Sequence, residues 1–246
     1  MSNEEKKEPH ELQLANKLRK ARDFAELSAI FGVAHEEHVV TTLDGYLLML
    51  HRILPKGYHH EVEEKAKRPV VLLQHGLCTN SEFFMVISDA KRCLPLTLLE
   101  KGYDVWLGNN RLSLSFSILR SMCIDALSSV RGNVYSQRHS TLSKSSAAFW
   151  DFCIDDLASS DIPSFVSYIL DHTRQPKLSY VGFSQGSAQC LAALSTNKEL
   201  NNKLEVFVAL APIMRPRGYA SAIIDQCLKW RFVHYSQSFV SDVLMG

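Results

Sequence analysis

The five residues Gly182-Phe183-Ser184-Gln185-Gly186 constrain the fold of this chain more than any other stretch. Leu178-Ser179-Tyr180-Val181, just before them, is a short apolar run of strand character, and Ser187 to Leu194 reads as the start of a small-residue helix. A strand that enters a helix through Gly-x-Ser-x-Gly has to turn sharply. That turn puts the serine in a strained backbone conformation with its hydroxyl projecting from the sheet edge, while glycines on either side let neighbouring backbones come close. Ser184 is therefore the candidate nucleophile. Without these flanks the same five residues would mark only a glycine-rich turn with an incidental serine.

The rest of the chain supplies a sheet for that turn. His38 to Thr42 and Tyr46 to Ile53 read as two strands of a hairpin turning at Asp44-Gly45. Pro69 to Gln74 is a continuous apolar run of the kind buried on both faces of a parallel sheet. A helix over roughly Ala90 to Lys101 leads to a second buried strand, Tyr103 to Leu107; Leu178 to Val181 is the third and Val206 to Leu210 the fourth. Two long helices are expected before the elbow. The second has Asp161 as its cap, Pro163 in its first turn and Phe165, Ile169 and Leu170 as its core stripe. Strands alternating with helices define an α/β fold with a mostly parallel sheet. Residues 1–24 read as a charged helical lead-in on the surface, and residues 25–246 as the N-terminal portion of a domain with an atypical insertion at 112–131.

A serine hydroxyl attacks a carbonyl only when a base removes its proton, and the base must be oriented by an acid. Backbone N–H groups must also face the developing oxyanion, each worth about 3 kcal/mol in the transition state. One donor follows the nucleophile, which is the amide of Gln185; the other comes from the loop after the first buried strand, His75-Gly76-Leu77-Cys78, with Leu77 as the candidate. A His-Gly pair here shapes the oxyanion loop, so His75 is not taken as the base.

At this point the chain resembles the acid lipase and steryl ester hydrolase family of α/β-hydrolases, fungal steryl esterases included. The matching stretches are "EEHVVTTLDGYLLMLHRI", "VVLLQHGL", "GYDVWLGNNR", "RGNVYSQRH", "FWDFCIDDLASSDIPSFVSYIL", "LSYVGFSQGSAQ" and "VALAP". The resemblance implies an α/β-hydrolase fold and hydrolysis of long-chain carboxylic esters of sterols or glycerol, with neither cofactor nor metal. It maps the family's nucleophile to Ser184 and its oxyanion donors to Leu77 and Gln185. The implied partners are a lipid ester substrate and, peripherally, a lipid droplet or membrane surface.

Two departures stand out. Residues 112–131 are a Ser-rich stretch without helical or strand period, and removing them restores "GNNRGNVYSQRH". They read as an in-frame translated intron or as a genuine surface insertion. In addition, the acid and the base follow the serine in this fold, beyond a lid segment. After Pro212 the only Asp and His residues are Asp225, His234 and Asp242, and His234 lacks a strand–loop context. The triad acid and base are thus unassigned, the chain is expected to be truncated at its C-terminal side, and little turnover is expected of it.

Composition narrows the alternatives. A formal net charge of +1 gives no electrostatic case for nucleic acid. There is no signal-peptide-like start and no apolar run of spanning length, so an intracellular location is expected, cytoplasmic or peripheral to lipid. The scattered six cysteines read as lone thiols rather than disulfides. His35 and His38 have a ligand-like gap and His59-His60 form a pair, but no Cys or carboxylate set stands beside them at zinc spacing, so they read as surface or hairpin residues. A non-catalytic family member and an α/β-hydrolase of other chemistry, such as a peptidase, are the competing readings.

Overall fold

The computed structural model describes residues 9–58, 68–77, 79–111 and 134–212. Its sheet runs β1 (Ala34–Thr41), β2 (Tyr46–Leu54), β4 (Asp104–Gly108), β3 (Val70–Gln74), β6 (Leu178–Phe183) and β7 (Leu204–Leu210) in spatial order, with the short β5 (Arg138–His139) beside the start of β2. β1, β2 and β4 pair antiparallel; β4, β3, β6 and β7 pair parallel.

The hairpin forms at the expected turn. Gly45 has φ +95°, and a Cβ there would meet Ser140 Oγ and the His139 ring within 3 Å. β1 begins four residues earlier than its apolar run, because pairing with β2 from Ala34 to Thr41 carries the polar end as well.

Alternation along the strands assigns two cores. Val70 and Leu72 of β3, Trp106 of β4 and Tyr180 of β6 pack to one side with Phe165, Val166 and Ile169. Val71 and Leu73, Val105 and Leu107, and Val181 pack to the other with Phe24, Leu27, Phe84 and Leu96. Each central strand is therefore buried on both faces, the condition that favours a parallel sheet. β7 is different. Among the described residues it stands at the sheet's edge, with Val206 50%, Val208 40% and Leu210 37% exposed, so the fourth apolar run is a strand but not a buried one there.

The helices also depart from the sequence reading in part. α1 (His10–Lys20) and α2 (Phe24–Phe31) precede the sheet; α1 is not merely superficial, because Leu14 and Leu18 pack on the second core. The Asp23 side chain accepts Glu26 N–H at the start of α2, and Gly32 at φ 69° ends it. The expected helix 90–101 splits into a 3-10 turn, Ala90–Arg92, and α3 (Leu94–Glu100): Cys93 is extended, and Pro95 opens a new first turn. Among the described residues between β5 and β6 there are a 3-10 turn at Ala147–Trp150 and one continuous helical run: a turn at Ile154–Asp156, a π-helical stretch at Leu157–Asp161 and α4 (Ile162–Thr173). Asp161 does not cap α4. It is helical itself (φ −68°, ψ −52°), fully buried, and bonded instead to Arg111. The core stripe Phe165, Ile169 and Leu170 stands as read. α5 (Gln185–Thr196) and α6 (Lys198–Lys203) follow the elbow.

Among the described cysteines, Cys93, Cys153 and Cys190 are free thiols. The stretch 112–131 and the residues Asp225, His234 and Asp242 lie outside the described residues, as does the pair His59-His60.

Candidate active site

The strand order places the site. From β3 the chain crosses to β4 on one side and returns to β6 on the other, so a crevice opens between the carboxyl ends of β3 and β6. Gln74 pairs with Gly182 in register, which sets His75-Gly76-Leu77 directly beside Phe183-Ser184.

Ser184 has φ 51° and ψ −113°, a conformation that side chains other than glycine adopt only under strain. The glycines on either side make this turn possible. A Cβ on Gly186 would lie 2.4 Å from the Gln74 carbonyl oxygen and 2.7 Å from that of His75; one on Gly182 would lie 2.7 Å from the Gly186 carbonyl and from Ser187 N. Both contacts are with backbone, which cannot swing aside. Ser184 N–H donates to Leu210 O at 2.9 Å and Ser187 Oγ donates to Gly182 O at 2.5 Å, tying both arms of the turn.

Gly76 faces the serine: a Cβ there would stand 3.2 Å from Ser184 Cβ and 3.1 Å from Phe183 Cδ1. Leu77 is the next residue, in the turn that leaves β3, and is 37% exposed. Gln185 opens α5, where a backbone N–H has no partner within the helix. Ser184 and Gln185 thus stand beside Gly76, the residue before Leu77, at the carboxyl ends of β3 and β6. Phe183 stacks on Phe83 (4.6 Å, 25°), giving the crevice an apolar wall that the sequence reading missed.

His75 is buried and fully engaged. Its Nδ1–H donates to Gly76 O (2.7 Å), and its Nε2 accepts the backbone N–H of Asn110 (3.1 Å). Burial pushes its pKa down to about 4, so it is neutral and has no lone pair to offer a nucleophile. Of the other described histidines, His38 bonds to Tyr168 and Glu36, His51 to Ser81 and His139 to the Asp44 carbonyl.

Gly108-Asn109-Asn110-Arg111 builds the frame behind this loop. Gly108 leaves room for the buried Gln74 side chain: a Cβ there would lie 2.1 Å from Gln74 Oε1, and the amide would have to move. Asn109 Oδ1 accepts Ser81 N–H (3.0 Å), and Asn110 Oδ1 accepts Gln74 Nε2–H (2.7 Å). Arg111, 1% exposed by its side chain, donates through Nε to both Asp161 oxygens (3.0 and 3.1 Å) and through Nη1 to Asp44 (2.7 Å), with its guanidinium 3.9 Å from the Tyr46 ring centre. The motif is visible in the sequence, but its division of labour is not.

A strand order of this kind with a Gly-x-Ser-x-Gly turn at the switch point defines an α/β-hydrolase fold. The family model "Partial alpha/beta-hydrolase lipase region" matches residues 24–88, and "alpha/beta hydrolase fold" matches residues 126–242. The chain belongs to the acid lipase family of α/β-hydrolases. It is 41% identical over 216 residues to a probable lipase of Schizosaccharomyces pombe, covering 88% of this chain and 43% of that protein. It is 37% identical to the lysosomal acid lipase/cholesteryl ester hydrolase of Macaca fascicularis (77% and 42% covered) and 36% identical to the gastric triacylglycerol lipase of Bos taurus (82% and 45% covered). The chain thus spans less than half the length of these relatives. Among the described residues no helix is long and apolar enough to cross a membrane.

Proposed function

We propose that this chain carries the nucleophile and oxyanion elements of a serine-dependent lipid-ester hydrolase. Ser184 Oγ attacks the ester carbonyl; the electron pair moves to the carbonyl oxygen, which accepts hydrogen bonds from the N–H groups of Gln185 and Leu77. Collapse of that intermediate expels the alcohol and leaves an acyl group on Ser184, which water then removes as the free acid. The observation that carries this reading is the strained backbone of Ser184 pressed against Gly76 at the sheet's switch point. The substrate is a neutral lipid ester of sterol or glycerol, supported by the names of the relatives and by the Phe83–Phe183 wall. The chain acts intracellularly, in the cytoplasm or peripherally at the surface of a lipid droplet or membrane, with no nucleic-acid partner and no cofactor.

A second reading, a family member without turnover, is favoured by one observation: His75, the described histidine nearest the serine in register, is held neutral with both nitrogens occupied. We accordingly expect the 1–246 chain to turn over slowly, with about 10³–10⁴-fold acceleration over water from oxyanion stabilisation and binding. Purified chain is treated with a fluorophosphonate and assayed on a short-chain aryl ester and a sterol ester. Labelling that vanishes in Ser184→Ala supports the nucleophile; folded protein that never labels refutes it. Turnover equal to a full-length relative's, lost in both Ser184→Ala and His234→Ala, overturns the expectation of slow turnover and makes His234 the base.

A further inference from the structure

Three side chains that the ester chemistry does not use converge where β1 meets α4. Glu36 and His38 are two residues apart on β1 and so project to the same face. His172 reaches them from the last turn of α4. One donor atom from each of the three lies within 4.8 Å of the others.

The finer geometry is that of a ligand set. Glu36 Oε2 and His38 Nε2 are 3.2 Å apart. An ion bound tetrahedrally at 2.0–2.1 Å separates neighbouring ligand atoms by about 3.3 Å, so this edge is already at coordination spacing. His172 is the exposed member, and a side-chain rotation of roughly 1.5 Å would close the remaining distance to that same spacing. The other nitrogen of His38 lies 3.0 Å from Tyr168 OH, one helical turn before His172. A Nδ1–H donated to that oxygen fixes the ring with Nε2 turned toward the carboxylate, the arrangement by which metal-ligating histidines are oriented. Arg52 Nη1–H donates to the same Glu36 Oε2 (3.1 Å), which would bind the ion through its other lone pair, and Asp104 offsets the guanidinium charge by accepting from Nε (2.7 Å) and Nη2 (2.8 Å). One carboxylate with two imidazoles and an outer position open to water is a donor set suited to zinc among the divalent ions.

We propose that Glu36, His38 and His172 bind one divalent transition-metal ion of the zinc type, which staples β1 to α4. The site is structural. His172 lies at the end of α4 that leads into the start of β6, whereas Ser184 lies past the far end of that strand, a separation of roughly 20 Å at about 3.3 Å per strand residue. Sequence spacing pairs His38 with His35 and offers no third ligand; only the return of α4 across the sheet brings His172 in.

The experiment uses metal-stripped 1–246 protein, titrated with Zn²⁺ by calorimetry and with Co²⁺ by visible absorption. The proposal expects one ion per chain, a tetrahedral Co²⁺ spectrum and a rise in melting temperature on adding Zn²⁺. His172→Ala, at an exposed position, should weaken Zn²⁺ binding at least tenfold and abolish the rise. Tyr168→Phe should weaken it less, and His139→Ala should leave it unchanged. Binding that is absent, or equally tight in His172→Ala and Glu36→Gln, overturns the proposal: the short Glu36–His38 contact would then hold a proton only, or the ion would sit on the thiols.

Discussion

The backbone N–H of Asn110 donates to Nε2 of His75 at 3.1 Å, across from the loop that faces Ser184. That single bond turns the histidine most tempting as a base into part of the scaffold. Its consequence for pH follows from linkage. An unfolded His75 takes up a proton at its ordinary value of 6.5, whereas the folded one resists until about 4. Below 6.5 the unfolded state therefore binds more protons, and stability drains away as pH falls toward 4. The loss is about 1.4 kcal/mol per pH unit and on the order of 3 kcal/mol in all. Urea unfolding at about pH 7 and about pH 5.5 should show it, and His75→Asn should flatten the slope in this window. An unchanged slope in the variant would assign the acid sensitivity to other groups.

Replacing Gly186 by alanine should be costly. The added Cβ would meet the Gln74 and His75 carbonyls at 2.4 and 2.7 Å, and neither is a side chain that can rotate away. We expect a loss of about 1–3 kcal/mol, or no soluble folded protein at all. Gly186 does not have a positive φ, so its loss is steric, whereas Gly32 at φ +69° has open space and would report backbone strain instead. A denaturant midpoint for Gly186→Ala equal to wild type would mean that close approach is not what Gly186 provides.

Ser184→Gly should stabilise the fold while removing fluorophosphonate labelling. At φ 51° and ψ −113° the serine holds a backbone conformation that costs about 1–3 kcal/mol and that glycine adopts readily. A melting temperature above wild type is the expected result. A lower one would show that the hydroxyl makes a stabilising contact exceeding the strain.

Arg111 is expected to be the most sensitive charged position in the described fold. Removing it leaves Asp161, fully buried, with an uncompensated charge, for a loss of about 3–5 kcal/mol in Arg111→Met. Asp161→Asn in the same chain should recover part of that loss, because the orphaned charge goes with it. A double-mutant cycle showing strict additivity would refute the coupling.

How much of this could be read in advance differs by element. The elbow was legible because both its strand and its helix announce themselves in local residues, and Gly182 and Gly186 have contacts that only glycine allows. The buried strands β3, β4 and β6 were legible because burial on both faces writes itself as an unbroken apolar run. β7 has the same kind of run but sits at the edge, since an apolar string states that a strand wants cover, not whether a neighbour supplies it. Asp161 before Ile162-Pro163 looks like a cap, but its true partner, Arg111, is distant in sequence and met only after the helical run folds back. The Glu36, His38 and His172 cluster was hidden for the same reason. The base and acid were illegible in both senses: neither spacing nor the described residues bring one to Ser184.

Ser184 N–H is held by Leu210 O, the last residue of the outermost strand. A strained backbone conformation is thus moored to a strand whose Val206, Val208 and Leu210 are exposed. Fraying of β7 would release that mooring and let the elbow relax, so the readiness of the serine becomes a report on what lies along the outer flank of β7. Amide exchange at Ser184 should accordingly keep pace with exchange along Leu204–Leu210, rather than with the slow amides of β3. Anything that docks along that flank would then sharpen the site from a strand away, without touching it.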